Sequence, residues 1–179
     1  SFIQANTNVS RIAISDGNIE YVATGTISGT LENQFYIDEY KGNFRFVTTV
    51  DEAIKSAVSF ENSKTDIISY TSKSYACLTV LDGDMNELGF IGNIAEGERV
   101  YSVRFMGDVA YFVTVRQTDP LFSVDLSDPK NPKIIGALKI PGFSEFLYPY
   151  GDGLLLGFGK DADEKTGASR DLKLSMFNT

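Results

Sequence analysis

"RFMGDVAYFVTVRQTDPLFSVDLSDPKNPKIIG", residues 104–136, is the stretch whose reading decides the fold. Short runs rich in β-branched and aromatic residues alternate with Gly-Asp, Thr-Asp-Pro and Asp-Pro-Lys-Asn-Pro clusters, which predicts four strands joined by tight turns. The stretch has counterparts elsewhere in the chain. An offset of 44 lays "LTVLDGDMNELGFIG" (Leu78–Gly92) without a gap on "FSVDLSDPKNPKIIG" (Phe122–Gly136), and sets Gly107-Asp108 on Gly151-Asp152. An offset of 66 sets "FRFVTT" (Phe44–Thr49) beside "AYFVTV" (Ala110–Val115), and Asp16-Gly17 on Asp82-Gly83. The two offsets differ by 22, which places an insertion of that size in the earlier copy.

Two hairpins, four strands and a period near 44 fit a four-stranded propeller blade of about 40–45 residues. A sandwich or barrel also places strands every ~8–12 residues, but leaves the ungapped self-match unexplained. The expected class is all-β: a partial β-propeller of four-stranded antiparallel blades, about three of them, cut from a larger ring. The units read as a half blade over 9–30, a blade over 32–99 with an insertion at 51–74, a blade over 100–142 and an incomplete blade over 143–179. That makes thirteen strands, fewer than the ~16 of the smallest closed ring. The insertion "DEAIKSAVSFENSKTDIISYTSKS" (51–74) is polar and reads as a loop, with a weak helical pattern over 51–63. A smaller loop insertion is expected at 160–169.

Hairpin turns are expected near Asp16-Gly17, Lys41-Gly42, Asp82 to Asn86, Gly107-Asp108, Asp128 to Pro132 and Gly151 to Gly153. Alternation predicts a core of Cys77, Val80, Val103, Phe105, Tyr111, Val113, Phe122, Val124, Leu155 and Met176. Incomplete terminal blades expose strand edges and apolar faces, so a homodimer through those edges is expected.

Composition narrows the function. With 42% hydrophobic residues in 179, including 13 Phe and 9 Tyr, the chain can bury a core. A formal charge of −8 without a Lys/Arg cluster argues against nucleic acid, whose phosphates require a basic stripe, and against anionic membrane surfaces. No apolar run approaches the ~18 residues of a transmembrane segment. The start shows no signal-peptide pattern and reads as mid-domain sequence, so further chain is expected upstream.

The chain has no histidine and a single cysteine. That removes Ser-His-Asp and Cys-His nucleophile sets, His-containing metal sites and cysteine zinc clusters. No nucleophile elbow or P-loop occurs. No catalytic, cofactor-binding or metal-binding residue is therefore expected, and no cofactor. Cys77 reads as a small buried hydrophobe. In "DGDMNELG", Asp82, Asp84 and Asn86 have the first three spacings of a calcium loop. Glu87 at the sixth position and Asn93 at the twelfth break the pattern, so the stretch reads as a hairpin turn. Asp161, Asp163 and Glu164 in "KDADEKTG" read as a solvated loop rather than a metal site. Asp38, Glu39, Asp119 and Glu145 are available as acids, with no spacing that singles out a pair. Tyr40, Phe44, Phe46, Phe146, Tyr148 and Tyr150 lie near turns; they suit blade packing first, and a sugar- or peptide-stacking surface second.

The runs "SRIAISDGNIEYVATG", "NQFYIDEYKGNFRFVTT", "LDGDMNELG", "DPLFSVDLSDPKNPKIIG", "LKIPGFSEFLYPYGDGLLLGFGKDADE" and "LKLSMF" resemble the β-propeller domain of secreted bacterial and archaeal proteins, itself distantly related to WD-repeat propellers. The resemblance implies an extracellular or cell-surface location and a C-terminal propeller. It carries over no catalytic residue. Where relatives have a His near "FLYPY", this chain has Tyr148. The expected function is a non-enzymatic binding or scaffolding module of an exported protein, with a protein or carbohydrate ligand. The alternative is the propeller part of an extracellular hydrolase, lyase or peptidase whose catalytic residues lie elsewhere.

Overall fold

The computed structural model describes residues 2–58, 67–115, 119–140, 142–163 and 169–179. These residues form strands and the turns that join them, with a 3-10 turn at Gln34–Tyr36. In order they are β1 (Phe2–Gln4), β2 (Asn6–Ser15), β3 (Asn18–Ser28), β4 (Ile37–Tyr40), β5 (Asn43–Val58), β6 (Ile67–Leu81), β7 (Glu87–Ile94), β8 (Arg99–Met106), β9 (Val109–Val115), β10 (Asp119–Asp125), β11 (Lys133–Ile140), β12 (Phe143–Pro149), β13 (Leu154–Ala162) and β14 (Ser169–Asn178). The described chain is thus a partial β-propeller of antiparallel sheets. β8 to β11 form one four-stranded meander, and β4 to β7 form another, with β1 added to the far part of β5. β12 to β14 make a three-stranded sheet, and β2 with β3 a hairpin.

Turn chemistry sets the registers. Asp16-Gly17 (φ 49° and 81°) and Lys41-Gly42 (φ 53° and 80°) hold positive φ at both central residues, the geometry a two-residue hairpin needs to follow strand twist. All six expected hairpin turns occur.

The sheets stack in series rather than as one two-layer sandwich. Ile27 of β3 packs on Phe46, Leu81 and Met85. The opposite face of that second sheet, with Val47, Leu78 and Val80, meets Val103, Phe112 and Val124 of β8–β10. Tyr111, Val113 and Leu121, on the other side of β9 and β10, meet Leu147 and Leu155. Completely burying a residue such as Phe112 contributes about 1.5–3 kcal/mol.

The repeat is real but its offsets shift within a copy. Second strands match at 66, with Phe46 of β5 on Phe112 of β9. Third strands match at 43, with Leu78 on Leu121, since these pair with Val47 and Val113. Fourth strands match at 47: Gly89 pairs with Val80 and Gly136 with Ser123, each beside a bulge that skips one residue, Leu88 or Ile135. Gly92 is therefore not the counterpart of Gly136. The gapless offset of 44 was a compromise across a turn that is four residues longer in the later copy.

Three expectations are corrected. Residues 51–58 and 67–74 are neither loop nor helix: they continue β5 and β6, paired residue for residue from Phe44↔Leu81 to Val58↔Ile67. Residues 59–63 of the helical reading lie outside the described residues. The second insertion likewise lengthens β13 and β14 beyond the sheet's body, with Ala162 opposite Ser169. Met176 is 50% exposed, because its neighbour Phe177 takes the face toward β8–β11. Phe105 and Phe122 are half-buried at the margin of the core. The other seven expected core residues are buried.

Candidate functional site

β8 lies beside β12, the first strand of the next sheet, and beside the 3-10 turn that leads into β4. Tyr36 Oη donates to the Val100 carbonyl (3.2 Å), Ser102 Oγ to that of Ser144 (2.7 Å) and Arg104 Nε to that of Leu147 (3.0 Å). Each bond ties one first strand, or the turn leading into it, to the next.

These strands share a defect that re-aims one side chain. In β8 the register steps from Val100↔Thr114 to Ser102↔Val113, with Tyr101 as the extra residue of the bulge. In β12 it steps from Ser144↔Gly159 to Phe146↔Phe158, leaving Glu145 unpaired. Counting back from Ile37, the counterpart of Val103, the same position ahead of β4 is Phe35. There the 3-10 turn does the work of the bulge, capped by Asn33, whose Oδ1 accepts from the Phe35 amide (2.9 Å). A bulge turns its extra residue out of the alternating pattern. Phe35 and Tyr101 accordingly stand 36% and 39% exposed.

Around them is an aromatic cluster. Phe35 meets Phe146 edge-on at 5.5 Å, and Phe146 stacks on Tyr148 at 6.3 Å between centroids. The Arg104 guanidinium carbon lies 4.9 Å from the Phe35 ring centre and 5.7 Å from that of Phe146. Tyr101 packs edge-on against Phe143 at 5.2 Å. A hollow of about 100 Å³ opens between Phe35, Ser102, Glu145 and Phe146. A wider one of about 420 Å³ lies between Glu32, Asn33, Arg99 and Tyr101. Its rim is charged: Arg99 bonds Asp51 at 2.7 Å and Glu32 at 3.4 Å. Burial lowers the pKa of the Arg104 guanidinium, and burial, then Glu32 and Tyr101, raises that of the Tyr36 phenol. Both groups therefore sit in a partly dry setting, where stacking and hydrogen bonds gain strength.

The expected candidates divide. Phe146 and Tyr148 belong to this cluster, Phe46 is buried in the core and Tyr150 is 56% exposed at a turn. Tyr40 and Phe44 carry guanidinium groups, of Arg45 at 4.8 Å and Arg11 at 5.6 Å. Asp38 is paired with Arg45, Glu39 Oε1 accepts from the Gly42 amide (2.9 Å) and Glu145 lies 3.9 Å from Lys160. The Asp119 side chain and Glu164 lie outside the described residues. Asp161 takes Lys173 at 3.1 Å. The Asp82 carboxylate is turned onto its own loop: Oδ1 accepts from the amides of Asp84 (2.9 Å) and Asn86 (2.8 Å), which holds its pKa below the ordinary range. Among the described residues no three His, Cys, Asp or Glu side chains gather as metal ligands, and no helix is long and apolar enough to cross a membrane. Sequence reading missed Phe35, Tyr101 and Arg104, whose spacing only a register count relates.

The chain is 44% identical over 157 residues to an uncharacterised protein of Methanocaldococcus jannaschii, covering 88% of this chain and 22% of that protein. It is 39% identical over 160 residues to an uncharacterised protein of Archaeoglobus fulgidus, covering 89% and 21%. The chain thus spans about a fifth of the length of these relatives. No solved structure matches it. The family described as "Beta propeller domain" matches over residues 1–179, and with its serially stacked antiparallel sheets the chain belongs to that family.

Proposed function

We propose that this propeller segment is a non-enzymatic binding or scaffolding module of an exported or cell-surface protein, holding a protein or carbohydrate ligand where its first strands meet. The observation that carries the reading is the recurrence of an outward-turned residue, Phe35, Tyr101 and Glu145, at one repeat position in three successive sheets. Aromatic faces stack on sugar rings or apolar peptide side chains, and a carboxylate beside them accepts hydroxyl or amide donors. A sequence without histidine supports binding over catalysis. The family resemblance supports the exported setting.

The test is a screen of the chain against oligosaccharide and peptide arrays, repeated with Phe35→Ala and Tyr101→Ala. A hit that weakens about tenfold or more in both variants, some 1.4 kcal/mol, supports the site. A ligand bound equally well by both variants refutes it, and turnover of a bound ligand shifts the reading to the hydrolase, lyase or peptidase. Cell fractionation tests location: a cytoplasmic parent protein refutes export.

A further inference from the structure

Three residues beyond the position shared by Phe35, Tyr101 and Glu145, the successive sheets carry Asp38, Arg104 and Tyr148. In β4 the charge at this position is matched within its own sheet: Asp38 stands directly opposite Arg45 and is paired with it. Arg104 instead stands opposite the neutral Tyr111. Among the described residues its partners are the Leu147 carbonyl, through Nε, and the rings of Phe35 and Phe146, with no carboxylate beside them. Arg45 and Arg99, by contrast, each hold a carboxylate.

A guanidinium is always charged, and half-burying one without a counter-ion is unfavourable. Two rings and one carbonyl hold the Arg104 plane, so its Nη groups form a fixed fork suited to a planar acceptor. Beside this cluster is the hollow of about 100 Å³, with Glu145 and Asn33 on its wall. Tyr148, stacked on Phe146, is 52% exposed and leaves a ring open next to it. One cation near Glu145, on a chain of formal charge −8, matches a single negative charge; a dianionic phosphate would be left under-compensated. The bulges in β8 and β12 interrupt the run of amides and carbonyls that an added peptide strand would need. A sugar needs no such ladder: it uses ring faces, with the Glu145 carboxylate and the Asn33 amide for its hydroxyls.

We propose, resting on the binding role given above, that the ligand is an acidic carbohydrate whose uronic-acid carboxylate is taken by the two Nη groups of Arg104. The sugar ring lies on the open face of Tyr148, and its hydroxyls meet Glu145 and Asn33. The ligand thereby does for Arg104 what Asp38 does for Arg45.

The test titrates oligomers of galacturonate and of glucuronate, and the same oligomers with their carboxyls reduced to neutral alcohols, into the 179-residue chain by calorimetry. Arg104→Gln and Arg104→Lys are titrated alongside, with circular dichroism to check their fold. The unaltered chain is expected to bind an acidic oligomer about tenfold or more tighter than its neutral counterpart. Arg104→Gln should abolish that preference, and Arg104→Lys, which keeps the charge without the fork, should retain only part of it. The preference is a ratio within one variant, so a general loss of stability does not imitate its disappearance. If Arg104→Gln does not fold, Arg104→Lys and the unaltered chain's own preference decide. Binding of none of the oligomers, equal binding of acidic and neutral forms, or a preference that survives Arg104→Gln overturns the proposal. If a neutral form is bound equally well and that binding falls in Phe35→Ala and Tyr101→Ala, the binding role stands and only the acidic specificity is lost. An acidic peptide bound through Arg104 in place of the oligomers overturns the choice of a sugar.

Discussion

Arg45→Ala probes the contact between the second and third sheets. The Arg45 side chain is buried, and its guanidinium bonds Asp38 and donates Nη1–H to the Gly107 carbonyl at 2.6 Å. Its carbon lies 4.8 Å from the Tyr40 ring centre and 5.0 Å from that of Phe105. Removing one partner of a buried pair costs about 3–5 kcal/mol. Asp38 is 31% exposed, so water recovers part of that loss and the lower end applies. The abandoned carbonyl and the lost ring contacts add about 1 kcal/mol. The expected cost is about 4 kcal/mol, a fall of roughly 8–16 °C in Tm for a domain of this size. Arg45→Lys keeps the charge but cannot serve Asp38 and Gly107 with one planar fork, so about half the loss should remain. Urea unfolding followed by far-UV circular dichroism measures both, and a cycle with Asp38→Ala should give a coupling of about 1–2 kcal/mol. A loss within about 0.5 kcal/mol, or no coupling, refutes the argument that Asp38 holds Arg45 in place to join the two sheets through Gly107.

Other outcomes follow from the same geometry. Phe112→Ala should cost about 3–5 kcal/mol and Phe122→Ala clearly less, since Phe122 only half-buries while stacking on Phe112 at 5.3 Å; equal urea midpoints would contradict this ordering. Turn amides and the Asn side chains hold the pKa of Asp82 and Asp128 below the ordinary range, so their stabilisation is full above that range and lost as pH falls through the lower folded values. Asp82→Asn and Asp128→Asn should flatten the acid side of the stability curve, read from urea midpoints below about pH 5. Burial pushes the Cys77 thiol up to about 11, so at pH 8 a thiol reagent should label it only as fast as the chain opens; immediate labelling would place it at the surface. Millimolar calcium should leave Tm unchanged, because Asp82 already accepts from its own loop, and a calcium-dependent rise abolished by Asp84→Ala would reverse that reading.

The hairpins were legible because Asp-Gly and Lys-Gly pairs state their backbone conformation in their composition. The repeat was legible because each copy re-uses those turns. Finer equivalences were not. A bulge consumes one residue without leaving a compositional mark, so Leu88 and Ile135 shift the match between β7 and β11. The same device hides the kinship of Phe35, Tyr101 and Glu145, three unlike residues. Residues 51–58 misled because polar, Ser/Lys-rich sequence is indifferent to strand or helix. A ladder already running from Phe44↔Leu81 then extends by adding hydrogen bonds on both sides of the hairpin. Met176 failed by parity: alternation tells which residues share a face, not which face is inward.

Among the described strands, every ladder except one joins neighbours in sequence. The exception brings Phe2–Gln4 of β1 against Glu52–Ile54 of β5. Closing a short hairpin loop costs little chain entropy, whereas that single pairing must first close a loop of some fifty residues. Each sheet can therefore nucleate by itself as it leaves the ribosome, in the order β2–β3, β4–β7, β8–β11, β12–β14. Docking of one sheet on the last is then an encounter between adjacent units. The molecule assembles as a growing stack, with β1 the latch that waits for β5 to be long enough to receive it.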